Sequence, residues 1–396
     1  MRIAYVCVDP GIPVFGTKGA SVHIQEVIRQ IRARGHEVVV HAVRRGDDVP
    51  ADLADLAVIE YPLGTREAAG RELAQQQASA AIAAALAAWQ PDVVYERYSL
   101  FSQVIATLSA GEEGAGQAGG AGAKGAVSSA PVTILEVNAP LIDEQRNHRV
   151  LVNEQAALES LRRQVSAASA TVCVSAPVEE WVRGLVAGGN VVTIPNGVNT
   201  QRIQPQPEDP AGVVVTFVGT LKPWHGVEVL LEAAARAKNE WSLRLIGDGP
   251  QRQQLAELAD QLGVSVDFRG ALSPAQVPAH LAGTAIAVAP YPAPADPAAH
   301  YFSPLKVYEY MAAGLPVVAS RIGQLPDVLA GAGELVTPSA AQELADALDR
   351  LAADPGLRAA YGARARELAV EKHSWAGVVE QIFAAAGLTQ PAGDQR

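Results

Sequence analysis

Tyr301-Phe-Ser-Pro-Leu-Lys-Val-Tyr-Glu-Tyr-Met-Ala-Ala-Gly-Leu-Pro-Val-Val-Ala-Ser320 holds a helix start, a helix stop and a strand in one run. Ser303 suits an N-cap and Pro304 the first helical position, so the spacing predicts a helix from Leu305 to Ala313. Gly314 suits its C-terminal cap, and Pro316 to Ala319 reads as a buried strand. Leu305 and Lys306 then offer first-turn amides and an ammonium to an anion. Glu309 lies one turn onward, about the reach of a ribose diol beyond a bound phosphate. Judged locally, an ordinary Lys306–Glu309 i,i+3 surface pair explains these residues better.

Short β-like runs alternate with longer amphipathic or Ala-rich segments in both directions from this stretch. Upstream in the same half stand Val213 to Val218, Gly226 to Lys238, Leu243 to Ile246, Gln251 to Leu262, Val266 to Phe268 and Ala285 to Pro290. The first half repeats the pattern with Ile3 to Val8, Val22 to Arg34, Val38 to Val43, Arg71 to Trp89, Val93 to Tyr95, Val132 to Val137, Val150 to Ser169 and Ala170 to Val174. Strand alternating with helix implies parallel sheets covered on both faces, hence an α/β chain of two doubly wound domains. The expected boundaries are an N-terminal domain at 1–198, a linker at 199–212, a second domain at 213–372 and a helical segment at 373–396 that could return to the first domain. Gly111 to Ser129 is low-complexity Gly/Ala/Ser/Glu and reads as a flexible surface loop. Its Gly114, Gly116 and Gly119 match a dinucleotide-binding spacing without the strand and helix that such a turn needs.

The 396 residues include 49% hydrophobic and 18% charged, which excludes wholesale disorder. No apolar run approaches the roughly 18 residues of a membrane span, and Asp9-Pro-Gly11 ends the first apolar run too early for a secretory signal. A net charge of −11 without a Lys/Arg run argues against polymeric nucleic acid as a partner. Cys7 and Cys173 sit in β-like runs as buried, inert thiols, so a reducing cytoplasm is the expected location.

Three glycine-bearing turns follow strands. Phe15-Gly16-Thr17-Lys18-Gly19-Ala20-Ser21 precedes a helix, where small residues and free amides suit phosphate, or simply make a tight turn. His23, just beyond, more simply packs on its helix. Phe217-Val-Gly219-Thr220-Leu-Lys222-Pro-Trp-His225-Gly226 brings two potential cations, and Leu245-Ile-Gly247-Asp-Gly249-Pro250 repeats the arrangement. Three such turns favour a ligand held between the two domains.

Taken in order, these turns, Ile194-Pro-Asn-Gly-Val-Asn199 and Lys306-x-x-Glu309-Tyr-Met-Ala-Ala-Gly-x-Pro-Val-Val-Ala resemble glycosyltransferase family 4 over nearly the whole chain. The resemblance implies the GT-B fold, two Rossmann-like domains facing a central cleft, and a retaining transferase that uses a nucleotide-diphosphate sugar. Glu309 matches the second glutamate of the family's E-x7-E motif, which binds the nucleotide ribose. Tyr301 stands where the first glutamate would be, leaving Ser303, Pro304, Leu305 and Lys306 beside the sugar diphosphate. Thr220 and His225 stand where relatives carry Arg and Lys, so Lys222 and His225 are expected to supply positive charge. A histidine common in relatives is replaced near Arg97, which makes Glu96, Arg97, Glu136 and Asn138 candidates on the acceptor side. Glu136 could equally brace a neighbouring loop.

Stabilising a departing diphosphate and an oxocarbenium-like sugar needs fixed positive groups, and no nucleophile if departure and attack share one face. No D-x-D spacing or histidine cluster indicates a metal, so metal-independent transfer without a cofactor is expected. The acceptor is a glycan, as in polysaccharide biosynthesis, a glycolipid or a small molecule, which leaves open attachment at the inner face of a membrane. Two other readings are a GT-B-like nucleotide-sugar epimerase and a silent donor-binding partner subunit.

Overall fold

The computed structural model describes residues 1–65, 67–117, 130–293 and 301–388. The chain divides into two compact units, Met1–Pro195 with Val378–Arg396, and Asn196–Gly377.

The first unit is built on seven strands: β1 (Arg2–Cys7), β2 (Glu37–Ala42), β3 (Ala57–Glu60), β4 (Val93–Arg97), β5 (Val132–Val137), β6 (Ala170–Cys173) and β7 (Val191–Thr193). They pair in the order β3-β2-β1-β4-β5-β6-β7, all parallel. Its helices are α1 (Gly19–Ala33), α2 (Ala68–Trp89), α3 (Val104–Gln117), α4 (Leu141–His148), α5 (Glu154–Ala167) and α6 (Ala176–Leu185).

The second unit has β8 (Val214–Val218), β9 (Ser242–Ile246), β10 (Val266–Gly270), β11 (Ile286–Ala289), β12 (Val317–Ser320) and β13 (Gly333–Val336), in the parallel order β10-β9-β8-β11-β12-β13. Helices α7 (Val227–Ala234), α8 (Arg252–Leu262), α9 (Val277–His280), α10 (Leu305–Ala312), α11 (Leu325–Leu329), α12 (Ala341–Ala353), α13 (Pro355–Glu371) and α14 (Trp375–Ala385) complete the described chain. Alternate strand residues feed two cores. Ala287 and Ala289 of β11 pack with Val307, Met311 and Leu368, while Ile286 and Val288 pack with Leu230, Leu255 and Leu348. Burial on both faces explains why these strands are continuous apolar runs.

Strand order reverses between β1 and β4 in one unit and between β8 and β11 in the other, the points where doubly wound sheets open a crevice. Two parallel sheets of this kind make the GT-B fold.

Several local expectations change. Helix α3 extends to Gln117, so 111–117, with Gly114 and Gly116, is helical rather than loop; Ala, Glu and Gln carry on a helix begun by Val104 to Leu108. Gly119 and the remainder of that stretch, 118–129, lie outside the described residues. The segment from Val150 to Ser169 becomes a helix only at Glu154, where the Asn153 side chain caps the Ala156 amide. Ser303 does not cap α10. Pro304 holds that position, and the Ser303 hydroxyl instead accepts from the Asn196 amide and donates to the Tyr308 hydroxyl. The helix end follows the sequence: Gly314 and Leu315 amides return to the Met311 and Tyr310 carbonyls.

Candidate functional site

In the second unit the turns after β8 and β9 and the start of α10 meet. The glycines serve this meeting first. Gly247 has φ 142°, and a side chain there would overlap the Gly219 carbonyl. Gly219 has φ 151°, and an added Cβ would lie 2.8 Å from Lys306 Nζ. The Gly219 amide donates to Ile246, Gly247 to Gly270 and Gly249 to the Asp248 carboxylate, while the Leu305 amide returns to Ser303. These expected anion-binding amides are therefore already engaged.

Lys306 supplies the charge instead. Its Nζ is enclosed and has no hydrogen-bond partner, resting 4.3 Å from the Phe217 ring centre and 5.3 Å from that of Tyr291. The i,i+3 pair with Glu309 is not formed as a hydrogen bond. Burial pushes the Lys306 ammonium down to about 7, with Glu309 opposing only in part.

His225 differs from expectation. Its Nδ1 meets the Thr220 carbonyl, which only accepts, so Nδ1 carries the proton and Nε2 keeps its lone pair. Burial first, then Lys306 and Lys222, hold it down to about 4, so it is neutral at pH 7 and supplies no cation. Lys222 leaves the enclosed group and stacks 4.5 Å over the Trp224 ring, which is 57% exposed.

The candidates of the first unit form a separate set. Arg97 and Glu136 are 7% and 1% exposed, with Arg97 Nη1 4.0 Å from Glu136 Oε2. His23 Nε2 binds Glu136 Oε1 at 2.8 Å. Burial alone would raise the Glu136 carboxyl, but His23 and Arg97 outweigh it and hold it below the ordinary range. Glu96, the next residue along β4, faces the opposite side of the sheet, takes the Ser102 hydroxyl and the Ile105 amide, and is 0% exposed. It braces α3 rather than facing an acceptor. Asn138, just past β5, has both amide atoms buried without partners. Gly16 is buried and its carbonyl is held by Gln25, while Gly19 begins α1 in the open.

Residues 17–113 match the family model described as Glycosyltransferase Family 4, and 212–354 match Glycosyl transferases group 1. The chain belongs to glycosyltransferase family 4. It is 33% identical over 202 residues to the MMP alpha-(1->4)-mannosyltransferase of Mycolicibacterium hassiacum, covering 48% of this chain and 46% of that one. It is 31% identical to the D-inositol 3-phosphate glycosyltransferase of Actinosynnema mirum, over 57% of this chain and 58% of that protein. The chain thus spans about half the length of these relatives. The fold is shared with Anabaena HepE in complex with UDP-glucose (TM-score 0.67, 19% identity, 98% and 99% of the two chains). Sucrose-phosphate synthase from Thermosynechococcus elongatus shares it too (TM-score 0.69, 20% identity, 97% of each).

Sequence reading of this family 4 chain missed Tyr291, which follows β11 and walls the lysine with Phe217. Its signal was only a tyrosine between two prolines at a strand end. Among the described residues no cluster of three or more His, Cys, Asp or Glu could hold a metal, and no helix is long and apolar enough to cross a membrane.

Proposed function

We propose that the protein transfers a sugar from a nucleoside diphosphate sugar to a hydroxyl acceptor, with retention and without a divalent metal. The observation that carries this is Lys306, an enclosed ammonium without a hydrogen-bond partner at the switch point of the second unit. A buried cation with no hydrogen-bonded counter-charge is costly, and a diphosphate would complete it. As the anomeric C–O bond breaks, negative charge grows on the departing diphosphate oxygen, and Lys306 is fixed where it can stabilise that charge. Glu309, one turn along α10, would accept from the ribose hydroxyls. His225 Nε2 offers a neutral acceptor for a substrate hydroxyl. Attack from the face of departure needs no protein nucleophile, which is the reading's account of retention.

UDP and UDP-glucose in HepE and the transferase names of the relatives support this reading. The test is to incubate the protein with UDP- and GDP-sugars in EDTA and follow nucleoside diphosphate release. Slow hydrolysis or transfer, lowered roughly 10²- to 10³-fold by Lys306→Met, is expected. Activity restored only by Mg²⁺ or Mn²⁺, or unchanged in the variant, would contradict it.

A further inference from the structure

A cavity of about 590 Å³ opens in the first unit, lined by residues that follow four strands and by the starts of α2 and α4. Asp9 to Gly11 follow β1, Arg44 follows β2, Leu63 and Thr65 follow β3, and Leu100 and Phe101 follow β4. The strand order reverses between β1 and β4, so the cavity sits at this sheet's own switch point. Its size suits one or two sugar rings.

The walls are braced from inside. Gln75 Nε2 donates to the Val8 and Leu100 carbonyls at 3.1 and 3.2 Å, tying β1 to β4 beneath the cavity. Both Glu72 oxygens accept backbone amides, from Val152 at 2.7 Å and Asn153 at 2.9 Å. Phe101 holds φ 66° while 1% exposed, a strained conformation for an aromatic residue on a cavity wall.

These braces take up carboxylate oxygens and leave the arginine forks without hydrogen-bonded carboxylates. Three arginines line the cavity, Arg44, Arg71 and Arg149, and so do Asp9, Glu72 and Glu144. Glu72 is committed to amides, Asp9 Oδ1 takes the Gly11 amide at 2.7 Å, and Glu144 has a partner of its own. None of the three arginines closes an ion pair with a carboxylate among the described residues; Arg44 reaches only the Pro10 carbonyl, at 3.5 Å. Arginine forks that close no ion pair, around a polar cavity of this size, fit an anion carried on a polyol.

We infer that this cavity binds a small polyhydroxylated molecule bearing a phosphate ester or carboxylate, read by Arg71 and Arg149 with Arg44 at the rim. Naming that molecule the acceptor rests on the transferase reading; the binding chemistry does not.

The test titrates the full chain with glucose 1-phosphate, glucuronate, glucose and inorganic phosphate, in the parent and in Arg71→Gln, Arg149→Gln, Arg71→Lys and Lys306→Met. At least one anionic sugar should bind tenfold or more tightly than glucose, and which one does so identifies the anion. Arg71→Gln and Arg149→Gln should each lower that affinity about tenfold with glucose affinity little changed, and Arg71→Lys should recover part of the loss. Equal binding of charged and neutral sugars would overturn the inference. So would a loss confined to Lys306→Met, which would place the anion at the donor group. Failure of UDP and GDP to bind the same protein would sink the transferase reading alone, since the sugar titrations are read independently.

Discussion

A nucleoside diphosphate and its nucleoside differ only in phosphate, so they separate the roles of neighbouring side chains. Lys306→Met should weaken UDP or GDP binding by roughly 1.5 to 3 kcal/mol, the range for a lost charge-assisted hydrogen bond, while nucleoside binding stays near the parent value. Glu309→Gln should weaken both ligands to a similar degree, because the ribose is common to them. Calorimetric titration of both ligands checks this, and equal losses for both in Lys306→Met would remove its phosphate role. His225 predicts a silence. Held down to about 4 by burial and two lysines, it is neutral in the free protein between pH 5 and 8 and contributes no titrating limb there. A sequence reading assigns it positive charge because relatives carry lysine there. Only the Thr220 carbonyl and the enclosing rings reveal the neutral tautomer.

Within elements, the buried carboxylate of Glu96 makes the cleaner stability test. Burial raises it to about 7 against the bracing bonds of Ser102 and Ile105. The folded state thus holds its proton more tightly than the unfolded chain, so its contribution is full below about pH 4.5 and is lost as pH rises through 7. Glu96→Gln should therefore raise stability at pH 8 by on the order of 3 kcal/mol and change little at pH 4.5, as urea unfolding at the two pH values would show. A loss at pH 8 would mean that the carboxylate is charged and needed by α3. Glu136 runs the other way: its depressed value predicts stability present above about pH 4.5 and lost in acid. Strands β11 and β12 were legible as continuous apolar runs and β8 and β9 as short runs broken only by Thr216 and Arg244, and the end of α10 because Gly314 and Leu315 close it. Strand β3 was not, since Ala57, Ile59 and Glu60 are exposed on a sheet edge and Ile59 is 46% accessible. The glycine turns are legible, yet the Gly219, Gly247 and Gly249 amides are taken by Ile246, Gly270 and Asp248, and only the packing shows that Gly247 is small for Gly219 rather than for a ligand.

Across the molecule, the helix α14 begins in one unit and groups from Val378 onward with the other. Val378, Val379, Ile382 and Phe383 are buried; Phe383 stacks on His36, and Asn190 Nδ2 donates to the Ala385 carbonyl. Ending the chain at Gly377 should destabilise the first unit by on the order of several kcal/mol, leaving amide exchange protection in β8, β11 and β12 near the parent level. Hydrogen exchange read by mass spectrometry checks it; equal loss of protection in both sheets would show that the segment stabilises the whole chain. The two-domain α/β architecture was legible from the restarting alternation of strand and helix. The cavity's arginine forks were not, because Arg44, Arg71 and Arg149 come from three separate segments and stand out only once they are seen to close no ion pair.

The central claim is that Lys306, held down to about 7 while enclosed, becomes the counter-charge of the donor diphosphate. At pH 8 the free protein carries it mostly neutral, and a bound diphosphate would raise its proton affinity. UDP or GDP binding should therefore take up about one proton, with affinity falling as pH rises above 7. Calorimetry at pH 8 in buffers of different ionisation enthalpy counts that proton directly. Uptake of about one proton in the parent and about none in Lys306→Met is the predicted result; the same uptake in both, or none in either with binding intact, would contradict it.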